Sequence, residues 1–275
     1  MTTSTQDPAP QTQPGQQNDT TTLPVAIVGL NFGRHIINQI CEGGAGDHVH
    51  IVAVCDLDAE KSQQMGRKLG VPSYTSLDAL LACDDIPAIG LFTGPNGRAG
   101  LLHQIMDAGK DVMTTKPFER DCAAAYEVLT RARSIGRIIH LNSPAPCLPL
   151  DLNTITTWRQ KHQLGRPVSA HLTTYARYQE QADGSWQDDP MACPVAPIFR
   201  LGIYLINDLI RLLGEAESVS VISSRVFTGR PTPDNGQLSI LFKNGAVATI
   251  MCSFCIEDGD HYRNAMTLNF ERGTI

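Results

Sequence analysis

Residues 24–35 read Pro24-Val25-Ala26-Ile27-Val28-Gly29-Leu30-Asn31-Phe32-Gly33-Arg34-His35, and their reading decides the fold. A short apolar run stops at Gly29, and the chain resumes in a helix-like segment (HIINQIC), so a buried strand meets a helix across a glycine turn. In this context a turn can hold a dinucleotide, because the free amide hydrogens and the dipole of a helix N-terminus favour phosphate. The three-glycine fingerprint is incomplete. Gly29 can make the tight turn, but Asn31 stands where a second glycine would let backbone approach a pyrophosphate. Asn is one of the few side chains that tolerates positive φ. Gly33 comes one position early for the third glycine. By itself such a turn fits an empty strand-to-helix connection as well as a ligand site. Gly29, Asn31, Phe32 and Gly33 are the candidate phosphate-facing residues.

Outward from this turn the alternation continues. VHIVAVCD, a short strand near Tyr74, IPAIGLFT, KDVMTT and RIIHLN alternate with AEKSQQMGRKL, a helix at 77–82, GRAGLLHQIMDA and CAAAYEVLTRAR. Strands separated by helices give crossover units and a parallel sheet, here a doubly wound α/β (Rossmann) fold. The punctuation agrees: Asp58, Ser76 and Asp121 are N-cap residues, and Gly70, Gly109 and Gly136 close helices. In the helix after Asp121, the residues Cys122, Ala125, Tyr126 and Leu129 make the expected buried stripe.

The prolines of PAPCLPL near 144–150 end the alternation and divide residues 23–145 from 146–275. A helix at 151–162, a strand at 167–178, an irregular stretch at 179–199 and an apolar helix at 200–213 follow. ESVSVISSRVF, QLSILF, AVATIMCSFCI and AMTLNF then read as strands, and Asn244-Gly245 between the middle two signals a tight hairpin. The second part is therefore an α+β domain with a mostly antiparallel open sheet. Residues 1–22 are rich in Thr, Gln and Pro with almost no apolar side chains, and read as a disordered tail.

Composition narrows the function classes. A net charge of −6 without any basic run argues against nucleic acid. No signal-peptide pattern and no membrane-length apolar run occurs, which with eight free-looking cysteines points to a reducing cytoplasm and no membrane partner. Cys252-Ser253-Phe254-Cys255 is a single CxxC with no second pair, and the histidines show no ligand spacing, so no metal site is expected.

Ligands of open parallel sheets bind at the carboxyl ends of strands. Asp56 ends the second strand, where a carboxylate binds ribose hydroxyls and repels a 2′-phosphate, favouring NAD over NADP; it can equally cap the next helix, and Arg34 keeps NADP open. Thr93-Gly94-Pro95-Asn96 and Thr115-Lys116-Pro117-Phe118 follow two further strands. With Gly109-Lys110-Asp111-Val112 ahead of the second of these, the chain resembles the glucose–fructose oxidoreductase / inositol dehydrogenase / MocA family over about residues 24–270. The resemblance implies NAD(P)-dependent hydride transfer on a sugar, cyclitol or related polyol. It also implies cofactor contacts from Thr93, Pro95, Asn96 and Thr115, and Lys116 touching substrate and nicotinamide ribose. Thr115 stands where the family has Glu.

The helix Arg200–Asp208 is the second anchor. Arg200, Tyr204, Asp208 and Arg211 make one polar stripe on an oily helix, which is either an Asp208–Arg211 pair facing solvent or a site. Gly202-Ile203-Tyr204 is similar to the branch of the family whose Gly-Ile-Tyr segment supplies a catalytic tyrosine. On that likeness Tyr204 exchanges the hydroxyl proton, Lys116 places the oxygen, and Asn207 or Asp208 binds a neighbouring hydroxyl. A phenol is a poor base at neutral pH unless an ammonium lies near it. Trp186 in the 179–199 stretch is a sugar platform or simply packs its own loop. The departures at Asn31, Thr115 and Asn207 leave a second reading, a catalytically inactive NAD(P)-binding regulator that senses a sugar. The resemblance further implies more strands beyond Ile275, hence a truncated C-terminus, and homo-oligomers formed through the open sheet.

Overall fold

In the computed structural model, residues 22–144, 150–257 and 262–275 are described. All but the last residue of the tail expected over residues 1–22, most of the proline-rich division near 144–150, and Cys147 lie outside them.

Val25–Val28 are buried from both sides, and this run forms β1 (Leu23–Val28). It is followed by α1 (Leu30–Glu42), β2 (Val49–Cys55), α2 (Ala59–Leu69), β3 (Ser73–Tyr74), α3 (Leu77–Leu81), β4 (Ala88–Leu91), α4 (Arg98–Asp107), β5 (Asp111–Thr114), α5 (Cys122–Ser134) and β6 (Ile139–Leu141). The strands pair in parallel in the order β3-β2-β1-β4-β5-β6, the doubly wound arrangement expected from the alternation. Helices α1 and α2 bury Ile37, Ile40 and Met65 on one face with Val25, Ile27 and Val54. Helices α4 and α5 bury Leu102, Ile105, Val128 and Ala132 on the other with Ala26, Val28 and Leu91.

Asp58, Ser76 and Asp121 each accept a backbone N–H in the first turn of the following helix, as their sequence positions suggest. The expected stripe on α5 is off by one face. Tyr126 is 74% exposed, whereas Val128 and Ala132 are buried. Alanines at 123–125 give no volume cue to the inner face, so the aromatic ring drew the stripe toward solvent.

The second half contains α6 (Leu150–Lys161), β7 (Pro167–Tyr175), α7 (Ile203–Leu213), β8 (Ala216–Ser224), β9 (Asn235–Phe242), β10 (Val247–Ser253), β11 (Arg263–Phe270) and β12 (Gly273–Thr274). Its sheet order is β12-β11-β7-β10-β9-β8, with only β10 and β7 parallel. Leu205, Leu209 and Leu213 of α7 pack on Leu172, Leu238, Ile240, Ile250 and Leu268. Among the described residues the opposite face is left open, with Val247 exposed on it. The β9–β10 turn is a three-residue loop: Gly245 N donates to Phe242 O, Asn244 accepts from Ala246 N, and only Gly245 has positive φ. Cys252 is a buried strand residue, and no cluster of metal-ligating side chains occurs among the described residues.

Among the described residues no helix is long and apolar enough to cross a membrane. Gly29 has φ +84°, and a Cβ there would lie 2.8 Å from the Phe92 carbonyl oxygen. Because that neighbour is backbone, Gly29→Ala is expected to destabilise the chain by about 1–3 kcal/mol, read as a lowered urea midpoint at unchanged slope.

Candidate functional site

The carboxyl ends of β1, β4, β5 and β6 open into a cavity of about 1850 Å³, whose far wall is formed by α7 and the 179–199 stretch. At its β1 end, Gly29 turns the chain and α1 begins at once with no side-chain cap. Leu30 N donates to Asp56 Oδ2 at 2.7 Å, and Asp58 N donates to Asp56 Oδ1 at 3.0 Å. Asp56 thus ties the turn to the end of β2, and Asp58 caps α2 on its own. Asn31 and Phe32 line the cavity. Asn31 does not take the positive φ that would have served a glycine-like turn; it sits within the first turn of α1 and accepts from Lys61 Nζ at 2.9 Å. Gly33 lies beneath the helix, where a Cβ would approach Ile27 Cγ2 to 2.9 Å. It permits close helix–strand packing and does not line the cavity.

The loops after β4 and β5 are held by a side chain that the sequence did not mark. Arg98, 1% exposed, donates from Nη1 to the carbonyls of Thr115 (2.6 Å), Pro117 and Phe118 (3.1 Å), and from Nη2 to that of Thr93. Burial lowers its pKa to about 10, and Glu119 opposes the shift, so it stays charged near neutrality. Thr93, Gly94, Thr115, Lys116 and Pro117 all face the cavity. Pro95 is buried and Asn96 exposed, and neither lines it. The turn between them carries the chain away toward α4.

Lys116 is one of the points where the two halves meet. Its Nζ donates to the Arg200 carbonyl at 2.6 Å and lies 5.1 Å from the centroid of the Tyr204 ring. Burial first, and the Arg200 guanidinium second, lower its pKa to about 8. The Tyr204 hydroxyl is hydrogen bonded to Ser143 Oγ at 2.5 Å. The amine therefore addresses the face of the phenol ring, and the phenol oxygen has a different partner. The Arg200 carbonyl is accessible because Ile198–Gly202 is π-helical, widening the backbone just before α7.

The expected substrate residues divide. Asp208 lines the cavity, and its pKa is raised mainly by burial, with Asp151 adding to the effect. Asn207 does not line it; its amide donates to Asp208 Oδ1 at 3.4 Å. Trp186 does line it, with its indole against Gly94, where a Cβ would come within 3.1 Å. The indole also packs edge-on to Phe199. The stretch around it is folded on Arg230, which pairs with Glu180, Asp183 and Asp188.

Two more residues come from the end of β6, Asn142 and Ser143. Their position past a parallel strand was the signal available in the sequence. Thr115 Oγ1 and Asn142 Oδ1 are buried and have no hydrogen-bond partner among the described residues. Buried polar groups are rarely left so. Two orphaned oxygens on the cavity wall, with a helix N-terminus at its other end whose N-cap residue Gly29 has no side chain to offer, fit a polar, phosphate-bearing cofactor lying across the strand ends.

Residues 23–143 match the model of an oxidoreductase family with an NAD-binding Rossmann fold, and residues 153–275 match the GFO/IDH/MocA C-terminal domain. An uncharacterised oxidoreductase of Schizosaccharomyces pombe is 25% identical over 203 residues, covering 72% of this chain and 53% of that protein. The chain spans about half the length of the curated relatives it matches. Two solved structures share the fold. GenD2 from gentamicin A biosynthesis, in complex with NAD, has 18% identity and TM-score 0.79, covering 96% of this chain and 74% of that one. The WlbA dehydrogenase of Bordetella pertussis, in complex with NADH and UDP-GlcNAcA, has 16% identity and TM-score 0.76, covering 92% and 78%. Both family models match in sequence order and together span nearly all the described residues, so the chain belongs to the GFO/IDH/MocA oxidoreductase family, with an NAD-binding Rossmann half.

Proposed function

We propose that the protein is an NAD(P)-dependent dehydrogenase or reductase acting on a CH–OH group of a sugar, cyclitol or related polyol, with residues 23–145 holding cofactor and 146–275 holding substrate. The carrying observation is that the Lys116 amine and the Tyr204 phenol line one cavity at the strand ends. The sugar-nucleotide in the WlbA structure supports the substrate class. When bound, the nicotinamide supplies the two-electron acceptor or donor. Gly29, Asn31 and Phe32 would face its phosphates, Asp56 its adenosine ribose, and Thr93, Thr115 and Asn142 its nicotinamide half. Asp56 already accepts two backbone N–H groups, yet each oxygen has a lone pair left for a ribose hydroxyl, and its charge disfavours a 2′-phosphate. This favours NAD.

The resemblance gave the proton to Tyr204 and oxygen placement to Lys116. The geometry favours the reverse. An amine with a pKa of about 8 changes charge near working pH, as a general acid–base requires. The phenol, anchored on Ser143, is better placed to hold the reacting oxygen. In oxidation, neutral Lys116 takes the hydroxyl proton and becomes ammonium; in reduction it returns the proton. Asp208, with Asp151 near it, would accept from a neighbouring substrate hydroxyl. Trp186 would roof the sugar. The uncovered face of the second sheet is the surface through which copies of the chain would pair.

A panel of sugars, cyclitols and polyols followed by reduced-nicotinamide absorbance tests the activity. Binding of NADH without turnover on any of them would instead support the sugar-sensing regulator. With an active substrate, Lys116→Ala is expected to lower kcat by about 10²–10⁴-fold. Tyr204→Phe should lower it by about 10–100-fold through one lost hydrogen bond. Unchanged turnover in both variants would exclude the pair.

The sign of the pH dependence follows from the lowered pKa. Below about pH 8 the amine is protonated, so oxidation should rise with pH through that value and reduction should fall. Lys116→Arg, charged throughout, should lose the inflection.

Removing the buried guanidinium tests the cofactor half separately. Arg98→Met strips donors from the carbonyls of Thr93, Thr115, Pro117 and Phe118. NADH affinity measured by calorimetry is expected to fall at least about tenfold, the loss of roughly one charged hydrogen bond.

A further inference from the structure

Glu180 was not marked by the sequence, and nothing above gives it a part in the reaction. It lies in the 179–199 stretch, half-buried, beneath two guanidinium groups. Arg200 approaches it with both terminal nitrogens, Nη1 to Oε2 at 2.6 Å and Nη2 to Oε1 at 2.8 Å. Arg230 Nε reaches the same Oε2 at 2.9 Å. The Arg200 guanidinium is fixed on its flat side too, over the rings of Tyr178 (5.3 Å) and Phe254 (4.9 Å). A fork-to-fork pair stacked on two rings leaves Arg200 one place to sit.

That place matters because Arg200 touches Lys116 in two ways. Its carbonyl accepts the Lys116 amine, and its positive charge, second to burial, lowers the pKa of that amine. We propose that Glu180 is a positioning residue for the reaction: by pairing with Arg200 it fixes that residue's place and offsets part of its charge, and through Arg200 it governs the protonation of the Lys116 amine. This rests on the reading of Lys116 as the proton carrier.

The charges around the amine make the direction definite. Under the Lys116 loop lies the Arg98 guanidinium, bound to the Thr115 and Pro117 carbonyls; from the π-helical stretch and α7 come Arg200, Tyr204 and Asp208, from α6 Asp151, from the 179–199 stretch Asp183, and from the second sheet and its loops Tyr178 and Tyr262. Tyr178 and Tyr262 share a hydroxyl–hydroxyl hydrogen bond, and Tyr178 is held well above the usual phenol range, chiefly by burial, so it stays neutral. Asp183 and Asp188 compensate Arg230. Glu180 is the carboxylate that pairs with both cations, and its own pKa is held low by Arg200 and Arg230 against the opposing effect of burial. If Glu180 becomes neutral, Arg200 retains its charge within reach of Lys116 and the ammonium is disfavoured. If Arg200 becomes neutral, the ammonium is favoured.

The test measures Lys116 protonation directly, without cofactor or turnover. The full chain is trace-labelled with acetic anhydride from pH 6 to 11, and the Lys116 peptide is quantified by mass spectrometry. In the wild type the midpoint should fall near 8. Glu180→Gln, nearly isosteric, should raise the amine's proton-dissociation constant about tenfold, the size of one unit charge uncovered at roughly 10 Å with an effective dielectric constant near 20. Arg200→Met should move the midpoint the opposite way, toward ordinary lysine. Asp188→Asn loosens the same loop at Arg230 and should leave the midpoint in place, which separates charge from slackness. A midpoint unmoved or raised in Glu180→Gln, or unmoved in Arg200→Met, or lowered equally by Asp188→Asn, would overturn the proposal. Because labelling needs no hydride transfer, failure here is distinct from failure of the enzymatic reading, which the substrate panel decides.

Discussion

A buried guanidinium sets the geometry on which everything else in the cleft depends. Arg98 begins α4, and its side chain runs back under the loops that leave β4 and β5, where four carbonyl oxygens converge on it. Taking a full charge out of water is costly, and the cost is offset here only because Nη1 and Nη2 both meet acceptors and Glu119 lies close by. Arg98 Nε, among the described residues, has no partner, so the compensation is incomplete. Such a group is retained for what it arranges. It fixes Thr93, Thr115 and Lys116 on one rim, and the Lys116 amine can reach across to α7 only from a loop held in that position.

Across the cleft, the second half answers with contacts at several separate points. Lys116 reaches the Arg200 carbonyl, Ser143 reaches Tyr204, Arg120 reaches the Met191 carbonyl, and Trp186 rests on Gly94. None of these is a large apolar surface. Contacts of this kind between two separately cored halves set position more than they add stability, because each is specific in geometry and modest in energy. The deep hydrophobic clusters stay within each half. The cavity therefore lies where packing is least constraining, and its walls come from two independent scaffolds.

The sequence made the scaffold legible and left much of the electrostatics hidden. Alternating strands and helices, three correct N-caps and the helix-closing glycines were readable because each depends on local chemistry. The family resemblance marked Lys116 and Tyr204, the helix face marked Asp208 and the long loop marked Trp186, and the four do line one cavity. Arg98, Glu180 and Arg230 were not found, because a charged side chain in a loop or at a helix start reads as solvated until its neighbours are known. Arg230, 6% exposed, finds its three carboxylates some 42 to 50 positions earlier in the chain. No spacing rule covers pairs so far apart. Tyr126 failed for the opposite reason: hydrophobicity alone assigned it inward, whereas Val128 and Ala132 occupy the buried face of α5.

The incomplete glycine fingerprint shows how the same physics can be satisfied with fewer glycines. A third glycine normally allows a helix to lie close on its strand, and Gly33 does this one position early, with Ile27 directly beneath it. The shortened spacing requires the helix to begin directly after Gly29, and α1 does begin at Leu30. A backbone that enters the helix immediately has no extended loop for a second glycine to relax. Asn31 is therefore accommodated with ordinary helical backbone, its side chain turned to the cavity rim and held by Lys61. What the turn loses in flexibility it regains through Asp56, which binds Leu30 N and Asp58 N together and so fixes the helix start against the end of β2. The departure at Asn31 thus follows from the one-residue contraction, and the contraction is tolerated because the carboxylate at the end of β2 holds the helix N-terminus in line with the strand ends.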